Sequence, residues 1–223
     1  MADRTPKVSA HRAPLSQERI VSAAIAIADE GGLDALTMRR LGEAFGVEAM
    51  AIYYHFANKD AVLDEAIERV FGEIEQPSRE IDWKTAMRRR ALSVRDVLLR
   101  HRWAIGLMES RSKGGPAILG HHDAVLGCLR SAGFGVEQAG HAYALMDSYI
   151  YGFAQTQLAL PFDSPSNAGA LGRNMLAPFP ASEFPNFAEM LEYASRPGYA
   201  YSDEFEFGLD LILDALERIR EVT

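Results

Sequence analysis

The sequence is poor in cysteine. Cys128 is the only one among 223 residues, so no internal disulfide can form, and a reducing cytoplasm is the expected compartment. It has no apolar run approaching the roughly 20 residues that cross a bilayer, which excludes a membrane partner. The opening stretch MADRTPKVSAHRAP lacks the apolar core of a secretory signal. Basic charge is scarce as well. With 23 Lys and Arg against 31 Asp and Glu, the net charge is -8, which excludes a chain that coats nucleic acid by bulk charge.

Strand alternation between turn signals is missing, and so is any internal repeat. No nucleophile stands beside a base, no glycine-rich phosphate loop follows a strand, and no ligand cluster has metal spacing. The reading is therefore no enzyme, no catalytic residue, no metal and no cofactor. The pair His121-His122 invites a metal reading, but neighbours on a helix point about 100° apart and rarely ligate one ion together. Asp/Glu pairs on solvated helix faces need no catalytic role.

What is present is helical periodicity. A hydrophobic content of 48% and a charged content of 24% are ordinary for a globular chain. The fold class expected is all-α. Residues 1–14 read as a flexible arm with two prolines. Ser16 caps a first helix through Ile20, Ala24 and Ile27 that Gly31-Gly32 stops. Thr37 caps a second, short helix with Leu41, Ala44 and Phe45 on its apolar face, and Gly46 ends it. Glu48 to Tyr54 is a third, and Asn58 caps a fourth with Val62, Ala66, Ile67 and Val70 on one side. Longer helices follow. One carries Trp83, Met87, Ala91, Val94 and Leu98. Another carries Ile118, Val125, Leu126 and Leu129. A proline-free helix runs from Val136 to Leu160. Residues 161–186 hold five prolines and read as a long loop, with a short helix after it from Phe187 to Ala194. The last helix, Asp203 to Arg220, turns Phe205, Leu209, Ile212, Leu213, Leu216 and Ile219 inward.

The charge divides along the chain. The first 60 residues hold 7 basic and 8 acidic side chains, and the remainder 16 and 23. The near-neutral front end can therefore meet an anionic partner while the acidic bulk stays away from it.

A capped short helix, a tight turn through Gly46 and another short helix form the layout of a helix-turn-helix. Phe45, Val47 and Ile52 are expected to lock the pair against the first helix, and Phe56 to join that core. The third helix then carries more polar and aromatic groups than the core needs. Tyr53, Tyr54 and His55 can donate to phosphate oxygens. Ala49 and Ala51 are small enough for a deep approach to the major groove, and with Met50 they can touch thymine methyls. Thr37, Met38 and Arg39 open the second helix and are expected among the DNA-contacting residues, and Arg39 suits a guanine or a phosphate.

The stretch TMRRLGEAFGVEAMAIYYHFANKDAVLDEAI resembles the DNA-binding domain of tetracycline-repressor (TetR) family regulators. The likeness rests on the threonine cap, Leu41 separated by four residues from Gly46-Val47, and the run Tyr53, Tyr54, His55, Phe56, Asn58 and Lys59. It covers about residues 16–67. It implies that Tyr53, His55 and Lys59 meet phosphates and that Ala49, Met50 and Ala51 face the bases, with Glu48 also in the DNA-binding set. Tetracycline repressors carry Gln-Pro-Thr at positions 49 to 51, so this chain's operator should differ from theirs.

LLRHRW, RSAGFGVEQAGHAYAL and FEFGLDLILDALERI resemble, more faintly, the C-terminal domain of the same family. The resemblance implies a homodimer whose long helix and last helix form a four-helix bundle with a second copy. The length and broad apolar faces of the helix from Val136 agree. The expected interface residues are Tyr143, Met146, Ile150, Leu209, Ile212, Leu213 and Leu216. The expected effector pocket holds Trp103, Met108, His122, Tyr149 and Phe153. The family's metal-binding histidine falls on Met108, and a thioether suits magnesium poorly. Its polar contact falls near Arg90 and its aromatic one near Val94. An apolar or aromatic effector other than magnesium-tetracycline is implied.

The domains expected are the arm at 1–14, a helix-turn-helix domain at 15–62 and an effector and dimerisation domain at 63–223. The partners expected are a palindromic double-stranded operator, a second copy and a small effector of unknown identity. The alternatives are a fold-sharing adaptor or sensor with little DNA binding, and an α-helical enzyme.

Overall fold

The computed structural model describes residues 14–110, 114–160 and 174–221, apart from 175, 179 and 197. The described residues are helical and contain no strand. The expected arm and most of the proline-rich stretch lie outside them. None of the described helices is long and apolar enough to cross a membrane. The chain divides into two compact units between Ile67 and Glu68. That division lies inside the fourth helix, a few residues beyond the boundary read at 62/63.

In the first unit, α1 (Gln17–Ala35) starts at Ser16, whose hydroxyl accepts from the Arg19 amide at 3.3 Å. The helix bends at Gly32 and runs on to Ala35, so the glycine pair kinks it where the sequence suggested a stop. Ile20, Val21, Ala24, Ile25, Ile27 and Ala28 recur at helical spacing and are buried. α2 (Met38–Phe45) starts on the Thr37 cap, with Oγ1 accepting from the Arg40 amide at 3.1 Å. α3 is short (Ala49–Tyr53). α4 (Lys59–Phe71) starts where Asn58 Oδ1 accepts from the Ala61 amide at 2.8 Å.

The second unit is built around α5 (Trp83–Arg100) and α8 (Val136–Ala159). The stripe Trp83, Met87, Ala91, Val94 and Leu98 is buried, as its spacing required. α8 answers with Ala139, Ala142, Met146, Ile150 and Ala154, four turns of mostly small side chains that let its neighbours pack close. A 3-10 turn (Arg102–Ala104) leads into α6 (Ile105–Ser110), and α7 (Pro116–Ser131) follows. On α7, Val125 and Leu129 are buried as expected, but Ile118 is half-buried and Leu126 exposed. The buried face passes instead through His121, Val125 and Cys128, one phase of the same helix.

A 3-10 turn (Ala181–Glu183) precedes α9 (Pro185–Ala194). The helix starts two residues earlier than its apolar pattern suggested, because proline suits the first helical position. α10 (Tyr201–Glu221) buries Phe205, Leu209, Leu213 and Leu216. Ile212 is only half-buried and Ile219 is exposed, contrary to the inward reading of both.

Two further contacts shape this unit. Lys84 reaches Asp214 at 2.8 Å and Glu217 at 2.7 Å, and Arg88 reaches Asp210 at 2.9 Å and Glu206 at 2.5 Å. These acids on α10 are thus paired with two cations of α5. Glu68 on α4 supplies the start of α7: its two carboxylate oxygens accept from the amides of Gly115 and Ala117, each at 2.8 Å. Pro116 between them has no N–H, so one side chain meets the donors that Gly115, lacking a capping side chain, cannot.

Candidate nucleic-acid interface and effector site

Two glycines set the geometry of α2 and α3. Gly46 ends α2 in the left-handed conformation, φ 65 and ψ 38, which a Cβ disfavours. Gly42 is needed for a different reason. A Cβ there would stand 2.7 Å from the Val47 carbonyl oxygen and 3.1 Å from the Ala49 amide. The start of α3 therefore rests on bare backbone of α2. That contact buries Ile52 completely and leaves Met50 and Tyr53 exposed at 65% and 46%, with Tyr54, just after the helix, at 85%. Phe56 is buried. Three expectations change. Met38 faces the core and is not available to DNA, because it lies one turn before Leu41 on the buried side. Ala44, read on the apolar face of α2, and Val47, read as a locking residue, are both exposed. Phe45 is half-buried, with the Arg19 guanidinium 5.2 Å from its ring centre.

The polar groups at this surface are ordered in different ways. Arg39 is exposed, and its Nε donates to Glu43 Oε1 at 2.8 Å. Thr37 and Glu48 are exposed, Ala49 and Ala51 half-buried. His55 is half-buried, and its carbonyl accepts from Gln17 Nε2 at 3.0 Å, which ties the first turn of α1 to the end of α3. Lys59 is half-buried and donates to the Leu33 carbonyl at 2.7 Å. That bond holds the ammonium in place and leaves two of its hydrogens. Gln17 and Gly42 were not singled out for this surface. Glycine in mid-helix, one turn before the capping glycine, was the available signal for the second.

Inside the other unit a polar cluster crosses α5, α7 and α8. Arg90 is 1% exposed. Its Nε donates to His121 Nε2 at 3.1 Å and its Nη2 to Asp147 Oδ1 at 2.6 Å. Tyr143 Oη is hydrogen-bonded to His122 Nδ1. Burial, the Arg90 cation and His122 hold the His121 ring down to a pKa of about 3. Burial, aided by the Asp147 carboxylate, pushes the Tyr143 phenol up. Arg90 and His121 were missed as buried residues, but their phase announced them. Arg90 continues the stripe Trp83, Met87, Val94, and His121 lies one turn before Val125.

The five expected pocket residues fall into separate groups. His122 belongs to the cluster above. Tyr149 and Phe153 pack with α10: Tyr149 stacks on Phe205 at 5.5 Å, Phe153 on Tyr201 at 5.0 Å, and the Tyr149 hydroxyl donates to the carbonyls of Glu204 and Phe205. Trp103 is buried with the His101 ring 6.3 Å away, and Met108 is half-buried on α6.

The expected interface set also divides. Met146, Ile150, Leu209, Leu213 and Leu216 are buried within the chain, so they pack its own core and cannot meet a second copy. Tyr143 and Ile212 are half-buried. Away from Val136 at the start of α8 and Ile219 near the end of α10, the large apolar residues that these helices leave exposed are Leu145, Phe207 and Leu211, at 47%, 65% and 56%. Ala144, Ser148 and Gly152, at successive turns of α8, are exposed beside Leu145.

Residues 20–66 match the family model described as bacterial regulatory proteins, tetR family, and residues 76–220 match the tetracyclin repressor-like C-terminal domain. An HTH-type transcriptional regulator of Saccharopolyspora erythraea is 35% identical over 67% of this chain, which spans 64% of that protein's length. The class A tetracycline repressor of transposon 1721, from Escherichia coli, is 30% identical over 93% of both chains. Among solved structures, the Streptomyces coelicolor TetR family protein ActR in complex with actinorhodin superposes with a TM-score of 0.76. It is 29% identical, over 93% of this chain and 99% of that one.

Proposed function

The chain belongs to the tetracycline-repressor family of bacterial transcriptional regulators, and on that premise we propose a cytoplasmic homodimer that holds a palindromic operator and leaves it when a small effector binds. The observation that carries this reading is the outward face of α3. A helix whose single buried residue is Ile52 and which exposes Met50, Tyr53 and Tyr54 is built to be covered by something else. In the dimer two such helices are expected about 34–36 Å apart, one turn of duplex. Tyr53, Tyr54, His55, Lys59 and Arg39 meet phosphates. Thr37 borders that surface, and Glu48, Ala49, Met50 and Ala51 face the bases. Met38 leaves the contact set because it is buried.

Leu145, Phe207 and Leu211 form the dimer face with Ala144, Ser148 and Gly152, in place of the buried set read from the sequence. The effector is largely apolar or aromatic and is not magnesium-tetracycline, since Met108 supplies no magnesium ligand. Its binding moves α7, and Glu68 carries that movement to α4, whose first turns belong to the reader unit. Induction then needs only that the effector bind one arrangement of α7 better than the other.

Gel-shift titration of the purified chain on the DNA flanking its own gene tests the reading. Saturable binding that a cell-derived small molecule abolishes is the expected result, and no binding to that DNA would sink it. The Arg39–Glu43 pair and the apolar side chains at 49–51 favour a second reading, an adaptor with little DNA affinity. Salt dependence separates the two. Phosphate contacts give a steep fall in affinity for any duplex as salt rises, and an adaptor gives none.

A further inference from the structure

The interior cluster holds two polar atoms that find no partner among the described residues, Arg90 Nη1 and His121 Nδ1. Both residues are almost wholly buried, at 1% and 2% exposure. Their chemistry can be worked out from the bonds they do make. A guanidinium only donates. Since Arg90 Nε gives its hydrogen to His121 Nε2, that nitrogen is the bare one. The ring is neutral, because the same burial and the same cation keep it from taking a second proton. Its one hydrogen therefore sits on Nδ1. Both unmet atoms are donors, and buried donors are rarely left unmet.

The surroundings narrow what could accept from them. Asp147 already offsets the charge of Arg90. The Phe71 ring lies 5.9 Å from that of His121 and 6.3 Å from that of His122, and the Tyr143 ring 5.9 Å from the Arg90 guanidinium. We propose that the effector anchors an oxygen acceptor, a carbonyl or an ionised carboxylate, on Arg90 Nη1 and His121 Nδ1, with its apolar body against Phe71 and Tyr143. This rests on the reading of this unit as the effector domain, and it adds a polar anchor to an otherwise apolar ligand.

Calorimetric titration of the full chain with naphthoate, acetylnaphthalene and isopropenylnaphthalene, alike in shape, tests it. The two acceptor-bearing probes should bind about tenfold or more tighter than the hydrocarbon, and which of the two leads tells carboxylate from carbonyl. The margin should vanish in His121→Phe. It should vanish too in the double variant Arg90→Met with Asp147→Leu, which strands no buried charge. Equal affinity for all three probes, or no binding of any, overturns the proposal and leaves trapped water as the partner of the two donors. Nitrogen NMR of the free protein placing the His121 hydrogen on Nε2 overturns it as well. Parallel gel shifts keep the two claims apart. Probes that release DNA without an acceptor margin sink the anchor alone. A margin with no effect on DNA sinks the regulator reading and leaves the anchor standing.

Discussion

Single side chains decide how this surface can hold a duplex. Glu43 holds the Arg39 guanidinium at 2.8 Å, both well exposed, so DNA has to displace a carboxylate before it gains that cation. Replacing Glu43 by Gln is expected to strengthen binding to all sequences by roughly two- to fivefold at low salt, measured by gel shift against salt concentration. Tyr53→Phe removes one hydroxyl donor and should weaken every sequence by about fivefold, whereas changes at Met50 should alter preference among sequences. In the interior, His121 titrates at about 3 in the fold, far below the ordinary value of roughly 6.5. The unfolded chain therefore takes up the proton first as pH falls. Stability is intact above about pH 6.5 and declines below it, by about 1 kcal/mol per pH unit from this ring. Melting curves between neutral and mildly acid pH should show a shallower slope in His121→Gln than in the wild type. That Tyr53 stays outside the core was legible in the sequence, because four rings in a row exceed what one short helix can bury. That Met38 turns inward was not, since an apolar residue beside a cap fits either side until its neighbours are placed.

At the scale of the element, periodicity was a sound guide wherever a helix has a single buried face. Ile20, Ala24 and Ile27 on α1 and the stripe of α5 are buried where their spacing put them. It failed where a helix has apolar residues on two faces. Leu126 on α7 and Ile219 on α10 share the composition of the core and lie outside it. The joint between α4 and α7 was invisible, because Glu68 and Gly115 are 47 residues apart. It is also demanding: a Cβ on Gly115 would stand 2.3 Å from the Glu68 carboxyl carbon. Glu68→Gln keeps the shape, loses the charge that favours a helix start, and should cost about 1 kcal/mol in thermal unfolding. Its informative effect is on regulation. If Glu68 joins the two helices, this variant binds effector and operator but releases DNA only at higher effector concentration. An unchanged release curve would show that the signal passes elsewhere.

For the whole molecule the division between core and free surface separates folding from assembly. Met146 is fully buried, and cutting it to Ala should cost about 2–5 kcal/mol. Leu211 is 56% exposed, and Leu211→Asp should leave the melting of the single chain nearly intact. Sedimentation should then show monomers that no longer shift operator DNA, because each half-site alone supplies too few phosphate contacts. A stable Leu211→Asp dimer would move the interface away from this face.

The sequence alone determined the helical class, the caps of α1, α2 and α4, the glycine turn ahead of α3 and the resemblance that names the family. All of these depend on neighbours within about a turn or two, and local spacing records such neighbours. The tertiary structure alone decided which apolar faces of α8 and α10 stay uncovered and that Met38 is inward. It also decided that Arg90, His121 and Asp147, from three helices, meet in one place. Burial and hydrogen bonding between distant segments depend on which helix lies across which, and no count along the chain contains that.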